Sequence, residues 1–174
     1  MEVIKKDKVT DAINEVIADI NDILDEEREE LYLEGIVLLY GLIENILKVA
    51  LYYRMTLDRV DKLATEEADD DAISEIMEVF EFVHKLDFYK SLRLALSIGL
   101  IDYNFFRELD RIRKNRKNVA HQLWLLKNRK DRASLRKELE NLATQGSVLV
   151  DILNKLIDEV GLDIEEIGID KFIK

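Results

Sequence analysis

The chain has 174 residues, a net charge of −11 from 37 Asp and Glu against 26 Lys and Arg, 48% apolar residues and no cysteine. That length and balance suit a folded chain with a real core, and residues 1–174 are expected to form a single domain. The absence of cysteine excludes disulfides, thiolate nucleophiles and cysteine-ligated metals, and two isolated histidines do not make a zinc site, so no metal or other cofactor is expected.

The N-terminus, MEVIKKDKVTDAINEV, lacks the apolar core of a secretory signal. Val9, Ala12, Ile13, Val16, Ile17, Ile20, Ile23 and Leu24 recur at helical spacing and predict a first helix of about twenty residues. A second helix, from about Leu31 to Arg54, is apolar nearly all round, as befits the central element of a bundle. Glu34, Glu44, Asn45 and Lys48 interrupt it, which argues against a membrane span and for a cytoplasmic protein. Residues 56–71 carry mixed charge and read as a connection with some helix; the acidic runs Glu66-Glu67 and Asp69-Asp70-Asp71 lack calcium-loop spacing and read as solvated.

Ile73, Ile76, Met77, Phe80 and Val83 open a third helix, with His84 read as structural. Phe88 to Ile98 form a fourth, ended by Gly99 as a left-handed C-terminal residue. Asp102 is placed to cap the fifth helix and Asp131 the last. In that last helix Leu135, Leu139, Leu142, Leu149, Ile152, Leu153, Leu156 and Val160 face inward, and Gly161 stops it before a short acidic tail. With no proline, six glycines and no sustained period-two pattern, the expectation is an all-α, antiparallel bundle of five to six helices.

Charge is distributed unevenly. Between Arg107 and Lys137 stand 12 basic and 3 acidic residues, so the remainder of the chain carries −20. Such a strip is either a solvated helix face or an anion-binding surface, and the size of the asymmetry favours the second. The fifth helix repeats Leu109, Ile112, Val119, Leu123 and Leu126 at 3,4 spacing, and the position missing from the series is Arg116. The second helix repeats Leu33, Val37, Tyr40, Leu47 and Leu51, and the missing position is Glu44. Opposite charges interrupting two apolar seams are tolerable if they pair, inside the bundle or at its edge. The alternative is that one helix is rotated by a residue and both side chains reach solvent.

His121 lies about 140° round the fifth helix from Arg116 on ideal geometry. On its side fall Arg107, Lys114, Lys117 and Trp124, a basic strip with an aromatic beside an imidazole, suited to a phosphodiester backbone and a stacked base. Trp124 equally suits a dimer interface. Arg116 and His121 can share a site through arginine's reach, a bend, or a second copy of the chain, and the last points to a homodimer.

Arg116-Lys-Asn-Val-Ala-His121 resembles the R-x4-H motif of HEPN domains, α-helical proteins that include metal-independent RNases of toxin–antitoxin and antiviral systems. The run LRLALSIGLIDYNFFRELDRIRKNRKNVAH is similar to the family's apolar helix, its GLID turn and the helix leading into the motif, and EGIVLLYGLIENILKVAL resembles its central helix bearing a glutamate, here Glu44. The same run also resembles the mannitol-operon-repressor branch, whose label is regulatory. The likeness covers roughly residues 30–160.

The resemblance implies that Arg116 binds the scissile phosphate and that His121 acts as general acid or base. It gives Asn115, Asn118 and Glu44 supporting roles, and leaves Arg113, Lys114, Lys117 and Trp124 to bind RNA. It implies attack by the RNA's own 2′-hydroxyl, without metal. A basic strip in an acidic body is open to an acidic partner in trans, as an antitoxin would be, or else restricts access to short or unstructured RNA by repelling other phosphates. The family's small polar residue after the arginine is Lys117 here, and Leu123 stands where its nucleotidyltransferase-linked toxins carry a tyrosine, which removes control by modification of that tyrosine. The alternative is a non-catalytic regulator, an adaptor or a nucleic-acid-binding module of the same fold.

Overall fold

A computed structural model describes the backbone of residues 6–65, 70–129 and 132–160, and the side chains of residues 13–57, 74–116 and 132–159. Among them are six α-helices and no strand: α1 (Lys6–Asp25), α2 (Tyr32–Thr65), α3 (Asp70–His84), α4 (Phe88–Ser97), α5 (Tyr103–Arg129) and α6 (Arg132–Val160), with a 3-10 turn at Glu29–Leu31 leading into α2. The protein is an all-α helical bundle. Asp131, Gly161, the acidic tail and the acidic run 66–69 lie outside the described residues.

α2 is the hub. Tyr32, Ile36, Leu39, Tyr40, Ile43, Ile46, Leu47, Ala50 and Leu51 are all buried, a band too broad for a one-sided helix, and α1, α3, α4, α5 and α6 each pack on part of it. Ile20, Leu92, Leu109, Ile112, Leu139, Leu142, Leu149 and Leu153 complete the same core cluster. The stretch Glu29–Leu57 is long and apolar enough to cross a membrane by length and composition, with a mean hydropathy of 1.6 in its richest window, half of which is buried inside the bundle.

Two pairs of chain neighbours, α2 with α3 and α5 with α6, run antiparallel. Lys48 and Tyr52 of α2 meet His84 and Phe80 of α3, and Arg111 and Asn115 of α5 meet Asn141 and Glu138 of α6. α2 and α6, distant in sequence, instead run parallel: Gly35 lies against Leu139, and Gly146 against Ile43. At Gly35 a Cβ would come within 3.0 Å of Leu139 Cδ1 and 3.1 Å of Ile20 Cδ1, so its absence lets α1, α2 and α6 close together.

The α4–α5 corner follows its local sequence. Asp87 caps α4 by accepting from the Lys90 N–H at 2.8 Å. At the other end Gly99 takes φ 71°, with its N–H donated to the Leu96 carbonyl and that of Leu100 to the Ala95 carbonyl, the paired bonds of a Schellman turn. Ile101 is buried, and Asp102 caps α5 by accepting from the Phe105 N–H at 2.7 Å. This places the start of α5, and therefore Arg116 three to four turns later.

Three expectations are corrected. α2 continues to Thr65, so much of the segment read as a connection is helix: Thr56 is buried and turns its hydroxyl back onto the Tyr52 carbonyl at 2.8 Å, satisfying that group within the helix. Val37 is about half exposed, because the buried band of α2 centres on Ile36, Tyr40, Ile43 and Leu47 rather than on the seam through Val37. Phe80 is likewise about half exposed, since α3 buries Ile76, Val79 and Val83.

Candidate functional site

The seam interruptions meet. Arg116 Nη1 of α5 donates to Glu44 Oε2 of α2, across 72 positions of chain. The pair sits at the edge of the bundle: the Glu44 side chain retains 18% of its exposure and Arg116 45%. Glu44 is the more enclosed partner because it follows Ile43 on the central helix, while arginine's stem can lie along the apolar surface with its head near water. On α2's next turn Lys48 brings Nζ to 3.4 Å from Glu44 Oε1, so the carboxylate holds a cation on each oxygen.

A second carboxylate joins the same face. Glu138 Oε1, on α6, accepts from the Tyr40 hydroxyl at 2.9 Å and from Asn115 Nδ2 at 3.4 Å. Tyr40 lies one helical turn before Glu44, and Asn115 immediately precedes Arg116, so three helices contribute to one polar cluster above the core. Burial pushes the Tyr40 phenol well up from its ordinary value; the negative charge of Glu138 and its hydrogen bond add to that, while the Arg116 charge opposes it. The hydroxyl therefore remains a donor to Glu138 throughout the neutral range.

The basic strip is less free than its sequence suggests. Asp110 Oδ1 accepts from Arg113 Nε at 2.8 Å, and Asp110 Oδ2 lies 2.7 Å from Lys114 Nζ. Burial acts against the charged Asp110, but these two cations outweigh it and hold the carboxyl below the usual carboxylate range. Arg113 also lies over the Tyr89 ring, 4.8 Å from its centroid. Farther along, Arg111 pairs with Glu108, and on α6 Arg136 binds Glu27 and Glu140.

Of the residues singled out in the sequence, Arg116, Glu44 and Asn115 are brought together, and Arg113 and Lys114 lie on the same helix but turn to Asp110. α5 runs unbroken through positions 116 to 121. The side chains of Lys117, Asn118, His121 and Trp124 lie outside those described. Tyr40 and Glu138 were not anticipated. Tyr40 reads as one more apolar seam residue, and Glu138 as one of several glutamates on a charged helix; only the packing of α6 beside α2 gives them a common partner. His84 is exposed rather than enclosed, its ring parallel to that of Phe80 at 6.0 Å between centroids. Among the described residues no group of three His, Asp or Glu could hold a metal ion.

In chemical terms the site offers one partly exposed guanidinium, held by a carboxylate that also carries an ammonium, beside an amide fixed by a second carboxylate. A phosphate approaching Arg116 meets a cation already oriented, at a position where a hydrogen-bonding fork is worth more than a freely moving charge. In comparisons with known proteins, no family model, no curated protein and no solved structure matches this chain.

Proposed function

We propose that the protein is a metal-independent endoribonuclease of HEPN type, acting in the cytoplasm as a homodimer and silenced in a toxin–antitoxin or antiviral setting by an acidic partner. The observation that carries this reading is the Arg116–Glu44 pair: the motif arginine is held at the bundle edge by the glutamate of the central helix, with part of its guanidinium open to a ligand.

In this reading Arg116 binds the scissile phosphate and stabilises the charge that builds on it. The ribose 2′-oxygen attacks phosphorus as its proton passes to a base, and the 5′-oxygen leaves as it gains a proton, yielding 2′,3′-cyclic phosphate and 5′-hydroxyl ends. His121 serves one of these transfers, since an imidazole with a pKa near 6.5 both takes and gives a proton near neutrality. Two copies supply two imidazoles. Glu44 orients Arg116, Asn115 and Asn118 flank it, and Lys114, Lys117 and Trp124 contact the strand.

A second reading is a regulator, adaptor or nucleic-acid-binding module of the same fold. The closure of Arg113 and Lys114 onto Asp110 favours it, because cations already paired on their own helix contribute less to phosphate binding. Incubation of wild-type and His121→Ala protein with labelled single-stranded RNA in EDTA separates the two. Cleavage by the wild type alone, with cyclic phosphate ends, supports the nuclease. Intact RNA with both proteins across several substrates supports the module.

A further inference from the structure

Away from the polar cluster, α2 and α3 leave a groove of about 180 Å³. It is lined by Asn45, Lys48, Val49 and Tyr52 from α2 and by Phe80, Val83 and His84 from α3. The Tyr52 and Phe80 rings stand perpendicular, at 5.8 Å and 89°, while Phe80 and His84 lie parallel within 8°. Phe80 is about half exposed, although a phenylalanine at helical spacing from buried Ile76 and Val83 would ordinarily turn inward.

The polar groups there are few, and two are unused. The Asn45 amide is exposed, and neither it nor the Tyr52 hydroxyl has a hydrogen-bond partner among the described residues. Among the described residues no buried side-chain polar atom is left unsatisfied, so the Tyr52 hydroxyl reaches solvent. Lys48 is fixed at the rim by donation to the His84 carbonyl at 3.5 Å and by Glu44 at 3.4 Å, the same carboxylate that holds Arg116.

We propose that this groove is a nucleobase subsite, taking one base of the RNA strand whose phosphate lies at Arg116. The proposal rests on the reading of Arg116 as a phosphate ligand. Aromatic faces accept any base by stacking, and an amide and a phenol supply the donors and acceptors that a base edge needs. The volume is below that of sites for drug-sized ligands, roughly 300–1,000 Å³, and matches a single heterocycle better than a whole cofactor or a docked helix. Charge orients the strand: α3 carries Asp70, Asp71, Glu75, Glu78 and Glu81 and no Lys or Arg, so a phosphate is repelled on that side. On α2 the groove opens toward the Lys48–Glu44 pair, beyond which Arg116 stands.

Two measurements test this together: steady-state cleavage of single-stranded RNA by wild type, Phe80→Ala and Asn45→Ala, and NMR titration of wild type with adenosine monophosphate and with ribose 5-phosphate. Both substituted side chains are exposed, and thermal melting confirms that the variants fold. The expected result is a KM raised about five- to a hundredfold by Phe80→Ala, the usual range for losing one stacked base, with kcat within twofold. Adenosine monophosphate should shift the Val83 methyl resonances saturably, and ribose 5-phosphate should leave them in place. Cleavage with an unchanged KM in both variants, and no Val83 shift, would overturn the subsite while leaving the nuclease reading intact. Val83 shifts with adenosine monophosphate in a protein that cleaves no RNA would overturn the nuclease and keep the groove as a base site.

Discussion

α5 carries two kinds of ion pair within one turn of each other. Asp110 collects Arg113 and Lys114 from its own helix, three and four residues on, while Arg116 reaches across to Glu44 of α2. The first kind forms whenever the helix forms, constrains nothing beyond it and lowers the net charge of the strip. The second exists only when α5 lies on α2 in the correct register, and it leaves the guanidinium 45% exposed at a cluster built by three helices. Positive charge along α5 is therefore no guide to which cation meets a ligand.

That contrast is open to attack, beginning where the effect is largest. If the protein is the nuclease proposed, Arg116→Ala should lower kcat for RNA cleavage by about a hundred- to a thousandfold, the usual cost of losing one preorganised charge-stabilising group. Arg113→Ala should change it less than fivefold, because Arg113 is committed to Asp110 and Tyr89. Equal losses in the two variants, measured in the EDTA assay, would erase the distinction.

The distant cluster should also carry more stability than the local one. Tyr40→Phe removes a donor to Glu138 within a partly buried network and should cost about 1 kcal/mol in denaturant unfolding. Its pH dependence has a defined sign. Burial raises the phenols of Tyr40, Tyr52 and Tyr53 above their ordinary value of about 10, Tyr52 to about 12. Above pH 10 the unfolded chain loses these protons while the folded chain keeps them, so stability is complete below pH 10 and falls as pH rises through the folded values. Phenolate absorbance followed alongside unfolding midpoints from pH 9 to 12 tests this, and constant midpoints across that range would contradict it.

Smaller effects follow for the ion pairs themselves. Glu44→Gln should cost about 1 kcal/mol or less, since Arg116 is too exposed for a strong pair. Asp110→Asn should change stability by less than about 0.5 kcal/mol. By freeing Arg113 and Lys114 it should also steepen the salt dependence of RNA affinity, by up to about 0.7 per cation in log–log slope. An unchanged slope would mean that neither cation touches the strand.

Legibility in the sequence varied with the range of the interactions involved. Two helix ends close with the same Schellman pattern. At Gly99 the left-handed residue is a glycine and the turn is readable; at the end of α1 it is Glu27, at φ 52°, with the Arg28 N–H donated to the Ile23 carbonyl. No local signal marks Glu27, whose carboxylate is engaged by Arg136 from α6. The Arg116–Glu44 pair was legible because each charge interrupts an apolar series; Tyr40 and Glu138 were not, since each fits its own helix without remark. The exposure of Phe80 and Val37 escaped the 3,4 rule because that rule finds a face but leaves its centre free by a residue.

By itself the amino-acid sequence determined the helices apart from the last turns of α2, the capped α4–α5 corner, the concentration of positive charge on α5 and the opposite charges on two seams. These depend on spacing, capping chemistry and backbone freedom within a few residues. Only the tertiary structure decided that α6 lies parallel to α2 and brings Glu138 to Tyr40 and Asn115, that Asp110 claims two of the strip's cations, and that α3 turns Phe80 outward beside Tyr52. Each of those outcomes depends on the rotation and axial shift of one helix against another, which the summed packing of the whole core sets and no single helix encodes.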